Sequence, residues 1–196
     1  MEKGKEERVI LVDENDKEMG TEEKMKAHVE NKMHRAISVF VFNSKGEMML
    51  QRRAMSKYHS PGLWFNTCCT HPRLGEENID AAKRRLKEEM GFECELKEIF
   101  SFTYNIELGK NLYENEFDHV FFGTFDGEPN LNPDETDDYK FVSIAELEKD
   151  AKENPDNYTY WFRVALERVL DYFRNKERDK KDMDKEKENK NSGEMQ

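Results

Sequence analysis

The chain has 196 residues, of which 36% are hydrophobic and 38% charged, and its formal net charge is −11. This length predicts one domain with extensions, and the acidic balance argues against a nucleic-acid-binding protein. No apolar run approaches the ~18 residues of a membrane span, and residues 1–8 do not resemble a signal peptide. The chain has three cysteines, two of them adjacent, which are a poor disulfide framework. We therefore expect a cytoplasmic protein without membrane partners.

The carboxy-terminal segment, residues 174–196, consists of charged, amide and small residues with two methionines. Such a composition cannot bury enough apolar surface to order itself. We therefore expect a single domain over residues 1–173 and a charged tail over 174–196 that is disordered or a frayed helix. A chain of about 170 residues is long enough to bury a core.

Strands dominate the amino-terminal part of the chain. The apolar run Val9–Val12 predicts a strand, and residues 24–32 are polar without a clean period. His34–Asn43 is apolar on both faces, as a buried central strand is. Met48–Arg53 follows a turn signal at residues 43–46, so these two segments together predict a hairpin.

The middle of the chain contains the clearest helix signal. Apolar residues recur at helical spacing at Ile79, Ala82, Leu86 and Met90. Asn78 is the expected N-cap, and Gly91 ends the run as a carboxy-terminal glycine does.

The remaining segments predict strands followed by helices. Strands are expected at 96–106, 112–125 and 139–142, with a turn at 109–111, and helices at 143–153 and 158–173. This order predicts an α+β or α/β fold with a mixed sheet.

Two short segments carry most of the chemistry. Residues 66–72 read NTCCTHP and residues 113–117 read YENEF. A thiol near an imidazole, with carboxylates two residues apart on one face of a strand, is typical of a metal-assisted acid–base site. Cys68 and Cys69 compete for the functional role because adjacent extended side chains point opposite ways, whereas Cys94 is expected in the core.

The five histidines divide into two groups. A lone histidine is more often structural than a ligand, and we assign His59 and His119 to structural or surface positions. His28, His34 and His71 lie near the other candidates. With Glu114 and Glu116 they would make a nitrogen and oxygen donor set suited to Zn²⁺, Mn²⁺ or Mg²⁺, although spacing alone does not establish such a site.

Charged residues on the predicted helix and hairpin have two interpretations. Arg85 and Glu89 are four residues apart on one helix face, which is common for solvated salt bridges. The basic residues Lys24, Arg52, Arg53 and Lys57 form either a solvated edge or a clamp for an anionic group.

The helix also resembles a degenerate Nudix box, on the spacing of Glu76, Arg84, Glu88, Glu89 and Gly91. Thr70 stands where the box has its first glycine, and Arg85 replaces a glutamate. The glutamates of the box serve Mg²⁺, so this replacement argues against diphosphate hydrolysis and places an extra cation near a phosphate.

The whole set resembles type I isopentenyl diphosphate isomerases, which are Nudix-fold enzymes, over residues 7–172. The resemblance is carried by RRAMSK (52–57), PGLWFNTCCTHP (61–72), RRLKEEMG (84–91), YENE (113–116) and Trp161. It implies an α/β/α fold, with a Nudix-type mixed sheet flanked by helices, an amino-terminal extension and carboxy-terminal helices. It also implies conversion of isopentenyl diphosphate to dimethylallyl diphosphate in isoprenoid biosynthesis.

The resemblance further implies a role for each site residue. Cys69 is the catalytic thiol, Glu116 its carboxyl counterpart, Tyr104 a hydrogen-bond partner near Glu116, and Trp161 the cover of the pocket. His28, His34, His71, Glu114 and Glu116 bind one divalent metal, and Glu89 holds a second, Mg²⁺, that bridges to the diphosphate. Lys24, Arg53, Lys57 and Arg85 contact the phosphates.

Alternatives remain at this level. We favour Glu116 with Tyr104 as the proton donor and Cys69 as the acceptor, although the residues leave the order open. The main alternative function is a Nudix hydrolase of a nucleotide or other diphosphate, and a silent Nudix-fold interaction module is a second. We expect a small-molecule isoprenoid diphosphate as the substrate and a monomer, because no large exposed apolar stripe is evident.

Overall fold

A computed structural model of the chain describes residues 7–57, 59–109 and 111–193, with side chains as far as residue 178 except at 177. Within these ranges the strands are β1 (Arg8–Val12), β2 (Glu18–Glu23), β3 (His34–Phe42), β4 (Met48–Arg53), β5 (Trp64–Phe65), β6 (Cys68–Thr70), β7 (Leu96–Gly109), β8 (Leu112–Thr124) and β9 (Thr136–Val142). The helices are α1 (Lys24–Val29), α2 (Asn78–Met90), α3 (Ile144–Glu153) and α4 (Tyr160–Gly193), with a 3₁₀ turn at Pro155–Asn157.

Strand β3 is the centre of the sheet, as its sequence predicts. It pairs in parallel with β8 along its whole length, from His34 opposite Glu116 to Phe42 opposite Thr124. It also pairs antiparallel with β1 and β6. The sheet is therefore mixed, and β3 brings the start of β8 next to the cysteine segment.

The predicted hairpin of β3 and β4 is only partly correct. The turn forms, but the two strands pair only at Phe42 opposite Met48. Beyond this point β6 pairs with β3, while β4 pairs with β5 and β9. The prediction failed because turn chemistry specifies the reversal of the chain, whereas strands distant in sequence compete for the remaining hydrogen bonds.

The strands predicted at 96–106 and 112–125 are confirmed as β7 and β8, which pair antiparallel. Their register places Tyr104 opposite Glu116. Together with the β3–β8 register, this aligns His34, Glu116 and Tyr104 across three neighbouring strands. The two ladders thus define one row of the site.

Alternate side chains of β3 reach two different cores, which makes the fold an α/β/α sandwich as expected. Phe40 packs in the core formed with α3 and α4, where Phe162 is fully buried. Val39 and Val41 pack in the core formed with α2, where Leu86 is fully buried. Each large side chain buried in this way contributes roughly 1.5–3 kcal/mol, so the helices hold the sheet rigidly from both faces.

Helix α2 begins and ends close to the predicted residues. Its N-cap is Glu77 rather than Asn78, because the extended backbone persists through Glu77. Gly91 ends the helix with a φ of 70°, and a side chain there would collide with the backbone of Asn130. Only glycine meets both conditions at this position.

Two elements were not expected from the sequence. Strand β2 has the polar sequence EMGTEE and is found only through its pairing with β1. Helix α1 has six residues, too few for a visible period. At the other end, α4 continues to Gly193, so its backbone is helical well beyond residue 173. The division into a domain at 1–173 and a tail at 174–196 stays a prediction.

Candidate active site and metal centre

A cavity of about 270 Å³ collects side chains from nine elements of the fold, namely α1, β3, β4, β5, β6, α2, β7, β8 and α4. All of the predicted site residues except His34 line it: Lys24, His28, Arg53, Lys57, Cys69, His71, Arg85, Glu89, Tyr104, Glu114, Glu116 and Trp161. His34 is fully buried and takes part in the metal centre described next.

Four of the predicted metal ligands converge. Donor atoms of His28, His34, His71 and Glu116 all lie within 4.8 Å of one another. Nε2 of His71 is 3.1 Å from Glu116 Oε1, and Nε2 of His34 is 3.5 Å from the same oxygen. Three imidazoles and a carboxylate are a donor set for Zn²⁺ or Mn²⁺.

Backbone contacts orient two of these imidazoles. Nδ1 of His28 lies 2.7 Å from the carbonyl oxygen of Lys24, and Nδ1 of His34 lies 2.9 Å from that of Lys32. A carbonyl oxygen can only accept a hydrogen bond, so each Nδ1 carries the proton and each Nε2 presents a lone pair. Nε2 of His34 is buried and has no hydrogen-bond partner within the described part of the chain. The residues therefore fit a divalent ion.

Glu114 lies at the edge of this group. Its Oε2 is 3.4 Å from Nε2 of His28, and it shares one face of β8 with Glu116, as their spacing predicts. Burial and the negative charge of Glu116 raise the pKa of Glu114 to about 7. Burial acts to lower the pKa of His28, but the hydrogen bond to Glu114 and the charge of Glu114 outweigh burial and raise the pKa of His28. The role of Glu114 as a ligand stays a prediction.

Glu116 connects the metal centre to the proton-transfer groups. Its Oε2 accepts a hydrogen bond from the Tyr104 hydroxyl at 2.5 Å, while Oε1 faces the imidazoles. Burial acts to raise the pKa of Glu116, yet the imidazoles of His34 and His71 hold it well below its usual range. Burial and the Glu116 charge raise the pKa of Tyr104 well above its usual range. The pair therefore keeps its proton on the phenol.

Cys69 is the cysteine that faces the cavity. Its Sγ lies 3.2 Å from Asn66 Nδ2, 3.3 Å from Asn66 Oδ1 and 3.6 Å from Ser38 Oγ. Ser38 in turn donates a hydrogen bond to Asp118 at 2.8 Å. Burial and the carboxylate of Asp118 raise the pKa of the Cys69 thiol, so the thiol is protonated before substrate binds.

The other two cysteines lie elsewhere, as the alternation along an extended segment predicts. Cys68 is fully buried in the core against α2, and Cys94 packs at the edge of the same core. All three thiols are free. The choice between Cys68 and Cys69 thus follows from the pairing of β6 with β3, which places Cys69 opposite Ser38.

The predicted cationic residues cluster in the cavity, and Lys24, Lys57 and Arg85 each pair with a carboxylate there. Lys24 Nζ is 3.1 Å from Glu7 Oε2. Glu135 Oε2 is 2.5 Å from Lys57 Nζ and 2.8 Å from Arg85 Nη2.

Arg85 is also in contact with the helix that carries it. Its Nε lies 2.5 Å from Glu89 Oε1. Glu89 is buried, and burial raises its pKa although Arg85 opposes this effect. Arg52, the neighbour of Arg53, does not line the cavity and instead binds Asp137 at 2.7 Å. Of the two arginines, only Arg53 is placed to act on a ligand there.

Aromatic rings lie beside one member of this cationic cluster. The Arg53 guanidinium lies 5.5 Å from the ring centre of Trp161 and 5.7 Å from that of Phe65. These distances are within the range of cation–π attraction. Trp161 and Phe65, whose ring centres are 6.3 Å apart, thus both lie beside Arg53 in the lining of the cavity.

Several cavity residues were not predicted from the sequence. Glu7, Glu135 and Ser38 line the cavity, and Asp118 is buried behind Ser38. Asp118 continues the alternation of Glu114 and Glu116, a signal that could have identified it. Glu7 and Glu135 lie in segments without any such pattern, and only the fold brings them to the site.

The two histidines assigned to structural positions differ. His119 lies outside the cavity, where its ring nitrogens are 3.1 Å from Asp16 and 2.7 Å from Glu98. His59 lines the cavity, contrary to expectation. Its loop has no periodic signal that would have placed it there.

In the part of the chain that the structure describes, no helix combines the length and the apolar character needed to cross a membrane.

Comparisons with known proteins identify the family of the chain. The NUDIX domain family matches residues 32–162. The chain is 57% identical over 165 residues to isopentenyl-diphosphate Delta-isomerase 2 of Aromatoleum aromaticum, covering 84% of this chain and 87% of that protein. It is 49% identical to the isopentenyl-diphosphate Delta-isomerase of Pectobacterium atrosepticum, covering 84% and 92%.

A comparison of structures supports the fold alone. A crystal structure of a Deinococcus radiodurans protein superposes with a TM-score of 0.63 at 22% identity, covering 76% of this chain and 90% of that one. The family match spans most of the chain, and the identities extend over nearly the full length of the relatives. The chain therefore belongs to the isopentenyl-diphosphate Delta-isomerase family of NUDIX-domain proteins.

Proposed function

We propose that this protein converts isopentenyl diphosphate into dimethylallyl diphosphate, a step of isoprenoid biosynthesis. The observation that carries the proposal is the placement of two separate proton-transfer groups in one cavity with four cationic residues. Cys69 and the Tyr104–Glu116 pair are the two groups. The 57% identity to a named isomerase supports the same conclusion.

The reaction requires two such groups. Protonation of the terminal alkene carbon gives a tertiary carbocation. Loss of a proton from the neighbouring carbon, on the side of the cationic carbon away from the newly formed methyl group, gives the product double bond. One proton enters and one leaves, so the reaction is balanced without a redox partner. Groups on different strands can address different faces of the hydrocarbon. Cys69 on β6 and Tyr104 with Glu116 on β7 and β8 meet this need.

The carbocation needs a dry and electron-rich surrounding. The face of Trp161 can stabilise it by roughly 2 kcal/mol or more when water is excluded. Water would trap the cation as an alcohol. Phe65 and Ile37 provide apolar surface in the same cavity.

The diphosphate has a natural place at the cationic cluster. Lys24, Arg53, Lys57 and Arg85 supply the charges there, and arginine can bind phosphate oxygens in bidentate fashion. Glu89 is the residue that would hold Mg²⁺ against the diphosphate, since hard oxygen ligands suit this ion. Its partners Gln51 and Arg85 hold the carboxylate in place.

His28, His34, His71 and Glu116, with Glu114 beside them, would hold the second divalent ion. When bound, the ion supplies positive charge that fixes the orientation of Glu116 and alters its acidity. The donor set suits Zn²⁺, Mn²⁺ or Mg²⁺, and the choice among them belongs to this proposal.

The order of proton transfer remains that favoured from the sequence, with Tyr104 and Glu116 donating and Cys69 accepting. This order requires Cys69 to lose its proton first, which burial beside Asp118 opposes. The reverse order needs no such loss. The two are distinguished by the pH profile, because a requirement for thiolate makes kcat/KM rise about tenfold per pH unit below the thiol pKa.

Proton NMR of isopentenyl diphosphate with the purified protein and Mg²⁺ in D₂O tests the proposal. We expect dimethylallyl methyl signals with deuterium incorporated into a methyl group. Release of phosphate without isomerisation would instead identify a hydrolase of diphosphates. Unchanged substrate after reconstitution with each of the three metals would overturn the proposal. The cytoplasmic location and the monomeric state stay predictions, which fractionation and sedimentation would test.

A further inference from the structure

His59 lies beside both Arg53 of the cationic cluster and Trp161. Its Nε2 lies 3.4 Å from Nη2 of Arg53. Its ring packs edge-on against Trp161 with centroids 5.6 Å apart. A ligand held by Arg53 and covered by Trp161 would therefore pass close to this imidazole.

The groups that face His59 are mostly positive. Arg53 comes from β4, Lys57 from the loop after it, and Lys24 from α1, which also carries the candidate metal ligand His28. Helix α4 contributes the neutral Trp161. Like charges disfavour a protonated imidazole, as does burial.

Two carboxylates that line the cavity, those of Glu7 and Glu135, are paired with other cations. Glu7 pairs with Lys24, and Glu135 with Lys57 and Arg85. Burial, followed by the charge of Arg53, lowers the pKa of His59 to about 4. The ring is thus neutral near pH 7. Because a guanidinium can only donate, Nε2 of His59 accepts from Arg53.

We propose that His59 is a further phosphate-binding residue of the cavity, which takes up a proton from the solvent when a diphosphate enters and then donates from Nε2 to a phosphate oxygen. A diphosphate carries several negative charges to the centre of these cations. It draws the Arg53 guanidinium to itself and reverses the sign of the charge that His59 faces. Both changes favour the imidazolium. For isopentenyl diphosphate as the ligand, this inference rests on the proposed function.

The sign of the pH dependence follows directly. The proton is bound in the complex and absent from the free protein, so diphosphate affinity falls as pH rises through the pKa of His59 in the complex. Between the pKa of His59 in the free protein, about 4, and its pKa in the complex, binding takes up as much as one proton per site. A side chain that cannot titrate removes this part of the pH dependence.

Isothermal titration calorimetry with inorganic pyrophosphate at fixed free Mg²⁺ tests the inference on the full chain with its divalent metal. Each titration is run in two buffers of different ionisation enthalpy, which gives the number of protons taken up. His59→Gln removes the titrating group, and His59→Lys supplies a permanent charge. His119→Gln is the matched control, since His119 is a buried histidine outside the cavity.

We expect His59→Gln to lose the additional proton uptake and to bind pyrophosphate about tenfold more weakly, as the loss of a charge-assisted hydrogen bond implies. His59→Lys should retain affinity without the uptake, and His119→Gln should match the unsubstituted protein. Equal proton uptake in His59→Gln and the unsubstituted protein would overturn the inference.

Isomerase activity, measured on the same samples, separates this inference from the proposed function. Loss of uptake in His59→Gln with no isomerisation by the unsubstituted protein would retain the phosphate site and refute the proposed function. Isomerisation by the unsubstituted protein, together with unchanged proton uptake in His59→Gln, would retain the proposed function and refute the role of His59.

Discussion

Tyr104 and Glu116 face each other across the β7–β8 ladder, and the phenol donates a hydrogen bond to Glu116 Oε2 at 2.5 Å. The other oxygen of this carboxylate faces His71 and His34. One carboxylate thus contacts a proton carrier with one oxygen and the metal centre with the other. The position of Glu116 opposite Tyr104 follows from the register between β7 and β8.

Replacing Tyr104 by Phe removes this proton and leaves the ring in place. We expect kcat to fall by roughly 10–100-fold, the equivalent of a hydrogen bond to a charged group. Metal content, measured by elemental analysis, should stay unchanged. Tyr160→Phe is the control, because Tyr160 is exposed and outside the cavity. Equal turnover of both variants would show that the Tyr104 hydroxyl has no part in the reaction.

Replacing Cys69 by Ala removes one of the two proton-transfer groups. Since a positioned acid or base contributes at least about 100-fold, we expect isomerase activity to be lost while metal content survives. The measurement is conversion in the D₂O assay over long incubation. Cys94→Ala is the control because Cys94 packs away from the cavity. Near-normal turnover of Cys69→Ala would refute the mechanism.

Arg52 and Arg53 form a matched pair for testing the cationic cluster. Arg53 lines the cavity, whereas Arg52 binds Asp137 outside it. We expect Arg53→Gln to raise KM about tenfold or more, since a charge-assisted contact to phosphate is lost. Arg52→Gln should leave KM within about twofold, as an exposed ion pair contributes little. Steady-state kinetics at two salt concentrations measure both, and the opposite ranking would place the diphosphate elsewhere.

Metal affinity should depend on pH through Glu114. Its pKa is raised to about 7 by burial and by the charge of Glu116. Protons compete with a cation for this carboxylate, so affinity should fall as pH drops below about 7, by up to about tenfold per unit for one displaced proton. Titration with Mn²⁺ or Zn²⁺ between pH 6 and 8 measures this. Glu114→Gln should flatten the dependence, and an unchanged slope in that variant would exclude Glu114 as its source.

Local patterns were sufficient for most elements of the fold. The double-sided apolar run of β3, the helical period of α2 and the turn before β8 all predict elements that the structure contains. The exceptions have a common cause. Strand β2 is polar on both faces, and the β3–β4 hairpin gives way to β6 and β9, so both depend on pairing with distant strands.

For the site, the chemistry-bearing segments could be identified because residues 66–72 and 113–116 carry their thiol, imidazole and carboxylates in short, specific motifs. Their resemblance to a known family assigned roles to those residues, and composition and spacing alone would not have done so. The convergence of His28, His34, His71 and Glu116 could not be derived from spacing, since these residues come from four segments.

By itself, the sequence determined the family, the elements with a strong period and the types of chemistry present, since these depend on neighbouring residues. The resemblance assigned Cys69 and Arg53 to the site, but only the tertiary structure gave the physical reason that these residues, and not Cys68 and Arg52, line the cavity, and only it placed His59 there. Those outcomes depend on strand register and on contacts between distant segments. A shift of one residue in register turns every side chain to the other face of the sheet.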